Sequence, residues 1–411
     1  MQERKKRKSR VDPIKLTILI LSIFLVIYIS CKTYTFASNT ISQFLKSSHS
    51  NVSTAFTKPE LPQRPALDTA EYDLRMYYLA HAFDLNNASS TARFKDFLSN
   101  ISGTASGSST ATSVADFVLS ASTALSTSSR RNASTTFSLW PAKNAVYPKP
   151  GAILPFKRIV AYYGNLYSKK MGVLGEYESD EMLRRLTAQA KEWELADPAT
   201  PVVPALHYIA VVAQGSPQKD GTYRARMPHS EIEKVIEMAK KIDAIVFLDV
   251  QVALSDLQKE LPPLEKYLSL PNVHLGIDPE FSMKTGKKPG SVIGTMDATD
   301  INFAAAYLAQ LVQKYDLPPK VLTFYRFTRN MVTNYKNIKT IPEVQLVLTM
   351  DGWGHQARKI GTYNSFVYPE PIQFTGFKLF YKNDLKQENS RLMTPAEVLK
   401  LTPSPIYIQY Q

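Results

Sequence analysis

The sequence predicts a (β/α)8 barrel over residues 151–411, and three observations predict it. After Arg158, eight apolar, strand-like runs alternate with amphipathic, helix-like stretches. The repeat fits the roughly 250 residues such a barrel uses, whereas an open doubly wound sheet normally has five or six strands. No Gly-x-Gly-x-x-Gly follows the first run and no P-loop occurs, so nucleotide-binding α/β architectures lose their main support.

The strand runs are Arg158–Tyr163, Val202–Val212, Ala244–Val250, Val273–Ile277, Val321–Phe327, Val344–Met350, Ile372–Phe380 and Ile406–Tyr410, each rich in β-branched and aromatic residues. Between them the helical spacing covers Asp180–Leu195, Ser230–Ile242, Ser255–Leu268, Asp300–Tyr315, Met331–Ile338, His355–Phe366 and Pro395–Leu401. Ser179 before Asp180-Glu181, Ser230 before Glu231, and Thr394-Pro395 with Glu397 are the expected helix starts.

Ahead of the barrel the composition changes twice. Residues 1–15 carry seven Lys or Arg against Glu3 and Asp12 and form a basic tail. Residues 16–36 follow as an apolar segment whose first sixteen residues, Leu16 to Cys31, carry no charge. Lys15 and Lys32 can snorkel, so the stretch is long enough for one tilted span of about 20 residues. The charge asymmetry puts the N-terminus in the cytoplasm and the barrel outside, in a single-pass cell-membrane protein. A cleaved signal peptide, or lipidation at Cys31, are the rival readings of the same segment. Residues 37–150 are polar and rich in Ser and Thr, a stalk with room for short helices at Leu67–Leu85 and Phe117–Leu125. Tyr147-Pro148-Lys149-Pro150-Gly151 ends local periodicity and marks the expected boundary with the barrel.

With 44% hydrophobic and 21% charged residues, the chain is not disordered throughout. Its one cysteine excludes an internal disulfide and a cysteine-based zinc site. Of the formal charge of +13, the basic tail carries a net +5 and the other +8 is spread diffusely over the rest of the chain. No basic stripe interleaved with aromatics stands out, so nucleic acid is not an expected partner.

In such a barrel the site forms where strands end at their C-terminal side. The polar residues there are Asn165, His207, Asp249 and Gln251, Asp278 and Glu280, Arg326, Asp351, Lys378 and Gln409. Residues two apart on a strand share a face, so Asp249 with Gln251, and Asp278 with Glu280, can both point inward. A carboxylic acid set among apolar residues beside another anion is held partly protonated, the condition for a general acid near neutral pH. Asp278-Pro279-Glu280 meets that description, and Glu280 and Asp278 are the candidate catalytic pair. Asp249, Gln251, Asn165, Arg326, Asp351, Trp353, Lys378 and Tyr163 are the candidate substrate-binding residues. Tyr167, Tyr177, Phe281, Tyr325 and Tyr381 also lie near strand ends, as sugar platforms or ordinary packing. Met171–Tyr177 is either a loop over the mouth that brings in Glu176 or a turn.

Leu275-Gly276-Ile277-Asp278-Pro279-Glu280 resembles the strand-four Asp-x-Glu ending of the lysozyme-like muramidase and chitinase barrels. The resemblance implies that Glu280 protonates a glycosidic oxygen, while Asp278 orients an N-acetyl group or stabilises positive charge. Tyr162-Tyr163-Gly164-Asn165, Met171–Tyr177 and Phe247–Gln251 also resemble a group of bacterial secreted or membrane-anchored barrel proteins, a likeness that implies architecture and no activity.

Three functional readings stay open at this level. One is a membrane-anchored glycoside hydrolase working on cell-wall or surface glycan without a cofactor. Another is a non-catalytic barrel that binds glycan or protein, with Asp249, Arg326, Asp351 and Lys378 as a structural ion-pair ring. The third is a hydrolase using a divalent metal held by Asp249, Asp278, Glu280, Asp351 and His207. No His-x-His or His-Glu-x-x-His supports the third, and a lone core role is the simpler one for His207. A serine hydrolase is disfavoured because no Gly-x-Ser-x-Gly elbow occurs.

Overall fold

The computed structural model describes residues 64–81, 140–143 and 145–411. These belong to one compact unit, Arg64–Gln411. The apolar segment 16–36, the basic tail and the expected helix at Phe117–Leu125 lie outside the described residues. Among the described residues no helix is long and apolar enough to cross a membrane.

Eight parallel strands close on themselves. They are β1 (Arg158–Gly164), β2 (Val202–Ala213), β3 (Ile245–Val250), β4 (Val273–Ile277), β5 (Lys320–Arg326), β6 (Val344–Met350), β7 (Phe374–Leu379) and β8 (Tyr407–Tyr410). Each pairs in parallel with the next, and β1 pairs with both β2 and β8, which closes the barrel. A short strand, Arg224–Arg226, adds to β2 in antiparallel sense.

Alternation along each strand sorts the side chains into two cores. Val160, Leu206, Leu248, Leu275, Leu322, Leu346 and Phe377 face outward onto the helices. Those helices are α2 (Ser179–Ala196), α3 (His229–Lys240), α4 (Ala298–Tyr315) and α5 (Gln356–Phe366), preceded in the chain by α1 (Thr69–His81). The inward residues at the strand starts, including Ile159, Ala205, Ile245, Val321 and Phe374, form a second apolar cluster that Tyr72, Met76 and Leu79 of α1 join. The helix expected within Leu67–Leu85 thus covers the N-terminal end of the barrel and keeps water from its interior.

Two expected helices break, for local reasons. Ser255–Leu268 splits into Leu257–Glu260, a 3-10 turn at Pro262–Leu264, and Glu265–Leu268, because Pro262 and Pro263 have no N–H to continue the ladder. Met331–Ile338 is not an α-helix. It holds the two-residue strand Val332–Thr333, paired with Met296–Asp297, and a 3-10 turn at Tyr335–Asn337. Asn334 sits at φ 55°, which ends any right-handed helix there. Of the three expected helix starts, Thr394 forms its capping box with Glu397. The other two helices begin one residue earlier, at Ser179 and His229, with no side-chain cap.

Lys320 opens β5 fully buried, its Nζ donating to the carbonyls of Leu270 and of Val273, the latter at 2.9 Å. No carboxylate pairs with it among the described residues, and burial pulls its amine down to about 7. The unfolded chain therefore holds one more proton than the native one between about pH 7 and 10.5, so this group makes stability rise with pH across that window. Lys320→Met should remove the dependence. Urea unfolding of both chains at pH 7 and pH 10 should show the parent gaining on the variant by a few kcal/mol, on the order of the linkage expected for such a shift. A difference that stays constant with pH would refute the assignment.

Candidate active site

The inward residues change character halfway up the barrel. Above the apolar floor, His207, Asp249, Tyr325, Tyr407 and Gln409 form a buried polar layer. Burial holds His207 below its ordinary value, against the pull of Asp249, so the imidazole is neutral. In that state Nε2–H donates to Asp249 Oδ1 at 3.0 Å and Nδ1 accepts from the Tyr407 hydroxyl at 2.6 Å. Tyr325 donates to Asp249 Oδ1 (3.3 Å) and Tyr163 to Oδ2 (3.1 Å), so three donors converge on one carboxylate. The Gln409 amide donates to both Tyr325 and Tyr407, at 3.0 and 2.9 Å. Gly276 makes this possible: a Cβ there would collide with Asp249 Oδ1 and lie 2.5 Å from His207 Nε2.

Gln251 carries the layer up to the mouth. Ala213 N–H fixes its Oε1 at 3.0 Å, and its Nε2 donates to Tyr163 (3.3 Å) and to Asp278 Oδ2 (3.2 Å). Asp278 Oδ1 in turn accepts from the backbone N–H of Glu280 at 3.0 Å. That bond caps the one-turn 3-10 helix Pro279–Phe281, whose proline pre-sets the turn, and so sets where Glu280 stands.

Above this lies a cleft of about 480 Å3. Asp278, Glu280, Gln251, Asp351, Lys378, Tyr163 and Trp353, all expected at the site, line it. Lys378 Nζ stands 3.0 Å from Asp351 Oδ1 and 4.2 Å from the centroid of the Tyr163 ring. Asp278 is 3% exposed and is held well above the ordinary carboxylate range, chiefly by burial and then by Asp249, Glu280 and Asp351. Glu280 is half-buried, and burial followed by the charge of Asp351 pushes it up to about 7, against Lys378. Among the described residues no side chain hydrogen-bonds or ion-pairs its carboxyl group. Two neighbouring carboxyls that cannot both ionise cheaply will keep a proton at neutral pH.

Three expected site residues are not on the cleft. Asp249 lies beneath it, in the polar layer. Asn165 is buried and structural, its Nδ2 donating to Ile209 O and its Oδ1 accepting from Tyr167 N–H. Arg326 points away from the barrel interior, because it follows the inward Tyr325 on the same strand. Its guanidinium pairs with Glu370 and donates to Arg329 O (2.6 Å) and Val332 O (3.0 Å), which ties down the loop after β5. The ion-pair ring therefore reduces to Asp351 with Lys378. Glu176 pairs with Lys382 at 2.7 Å, and Val173–Gly175 is a 3-10 turn.

A second support was not legible in the sequence. Lys359 of α5 is buried against Asp384 (3.0 Å) and donates to the carbonyls of Gly352 and Lys378, both at 2.8 Å. Asp384 also accepts from the backbone N–H of Gly354 (2.9 Å) and Phe380 (3.0 Å). The pair joins the loop that carries Trp353 to the end of the strand that carries Lys378. Among the described residues no three His, Cys, Asp or Glu side chains are arranged to hold a metal ion.

No protein-family model and no curated protein sequence matches the chain. Solved structures that resemble it include two mannanases from Bacillus subtilis. Mannanase man26 is 11% identical, over 62% of this chain and 79% of its own, with a TM-score of 0.34. Mannanase BCman is 11% identical, over 63% and 81%, with a TM-score of 0.32.

Proposed function

We propose that the chain is a glycoside-hydrolase-like barrel that cleaves cell-wall or surface glycan, held outside the membrane by residues 16–36. The observation that carries this reading is Glu280: an unpartnered carboxyl, facing an open cleft, with its proton held to about pH 7. A group so placed gives its proton to a glycosidic oxygen as the C1–O bond breaks. The carboxylate left behind takes a proton from the water that attacks C1, and the acid is restored. Asp278, fixed by Gln251 and the Glu280 N–H and held toward its neutral form by burial, orients the sugar by hydrogen bonding, and the carboxylate that Glu280 becomes faces the developing cation at C1. Trp353 and Phe281 give the cleft wall aromatic surface for sugar rings.

The test is release of reducing ends from a mixed cell-wall glycan preparation by the full chain, with chelator in one arm. Turnover should be indifferent to chelator and should fall as pH rises past about 7, where Glu280 loses its proton. Loss of turnover to chelator would move the reading to a metal-dependent hydrolase. A folded protein that releases nothing would be a binding barrel.

Lys378 sets the upper end of that pH range, since its charge opposes the upward shift of both acids. Lys378→Met should move the midpoint of Glu280 up, the direction that loss of a nearby cation gives. Carboxyl-carbon NMR titration of the two proteins reads this without needing turnover. An unmoved midpoint would mean that Lys378 is only a partner for Asp351.

A further inference from the structure

Cations crowd the aromatic wall of the cleft with no carboxylate to hold them. Arg358 has its guanidinium carbon 5.1 Å from the centroid of the Trp353 ring, and Lys386 has its Nζ 5.3 Å from it. Trp353 is itself 42% exposed. Lys170 lines the same cleft as Trp353 and Arg358. Among the described residues none of these three cations makes an ion pair, while two neighbours in sequence do: Lys382 with Glu176 and Arg391 with Glu397, each at 2.7 Å.

The floor of the cleft does not compensate them. Asp351 is matched by Lys378 at 3.0 Å. Asp278 and Glu280 are both driven toward their neutral forms, Asp278 by burial and by the other carboxylates, Glu280 by burial and Asp351. An incoming anion therefore meets a positive rim and little opposing charge beneath it. A neutral sugar would leave the rim's charges to water alone.

We infer that the outer part of the cleft binds a sugar that carries a carboxylate, so that the substrate class is an acidic polysaccharide. Arg358 is the main ligand, because its planar fork matches a carboxylate in a bidentate way. Lys386 and Lys170 add charge, and the Trp353 ring holds Arg358 and Lys386 in place by cation–π attraction. The inference rests on the carbohydrate reading of the site.

Affinity electrophoresis of the full chain in mild detergent tests it, with carboxymethyl cellulose and hydroxyethyl cellulose in parallel gels at about 50 mM salt. The two polymers share a backbone and differ in the carboxylate. Carboxymethyl cellulose should retard the protein at about a tenfold lower concentration, a difference expected for two or three charge-assisted contacts. The double variant Arg358→Ala, Lys386→Ala should lose that preference. Lys234→Ala with Lys336→Ala, the same charge change on exposed residues elsewhere, should keep it, and so should Glu280→Gln.

Equal retardation by the two polymers would overturn the inference. So would an equal loss in the remote double variant, since binding would then be the general attraction of a chain of net charge +13. Near-ultraviolet circular dichroism confirms that each variant is folded. Reducing-end release, measured beside the gels, separates the two proposals. Selective binding without cleavage would leave the acidic subsite and remove the hydrolase. Cleavage of a neutral glycan with no carboxylate preference would do the reverse.

Discussion

Glu280→Gln should lower turnover of glycan by about 10²–10⁴-fold, the contribution of a positioned general acid, while leaving the fold intact. The amide keeps the size of the side chain and has no proton of suitable acidity to give. Nothing in the native structure depends on the carboxyl, since no described side chain bonds it; only the backbone N–H of Glu280 serves Asp278, at 3.0 Å. Binding should survive as well, because Trp353, Lys378 and Asp351 are untouched. The midpoint of thermal unfolding should stay within a few degrees of the parent or rise, as a half-buried ionisable group is replaced by a neutral one. Reducing-end assays and calorimetry on the same preparations decide the matter. A variant that unfolds markedly earlier yet turns over normally would make Glu280 a structural residue and end the acid assignment.

Asp249→Leu should be the most damaging single change to stability. Asp249 is fully buried and accepts from His207, Tyr163 and Tyr325. Leucine is similar in size, so the cost is electrostatic: three donors lose their acceptor in a place that water does not reach. At about 1–3 kcal/mol for each orphaned donor, the loss is on the order of half the stability of an ordinary domain. Asp249→Asn, which keeps one carbonyl oxygen, should lose less. Urea unfolding gives the order parent, Asn, Leu. The reverse order, or a Leu variant as stable as the parent, would mean that the polar layer does not hold the barrel. The damage should also reach the cleft, because Tyr163 would lose the anchor that aligns it with Gln251 and hence with Asp278.

These two residues were equally visible as strand-end carboxylates, and the structure assigns them different work. The difference is height. Asp249 is the last inward position on its strand, and Gln251, just past the strand end, follows it at the mouth. Asp278 and Glu280 leave β4 altogether and stand in the opening. Arg326 shows the complementary limit. Alternation alone places it on the outer face with Leu322 and Phe324, the opposite side from Tyr325, so its absence from the cleft was readable from strand parity. Its partner Glu370 was not, because that residue comes from a loop 44 positions away. Lys359 and Asp384 escaped notice for the same reason. One lies on a helix and the other on a turn, and no pattern in the chain connects them.

The order of β units, the face that each strand buries, and the acid pair that ends β4 were set by the sequence alone, because periods of 2 and 3.6 and the spacing of neighbours are local properties of a chain. Only the closed barrel decided the rest. It brought β8 beside β1, stacked His207, Asp249, Tyr325 and Tyr407 into one buried layer, and used the α1 helix to cover the floor. Among the described residues it also left Glu280 without a partner, Lys170 and Arg358 on the cleft without carboxylates, and Lys386 beside them against Trp353. Burial and charge balance are sums over residues distant in sequence, and a protonation state follows from that sum.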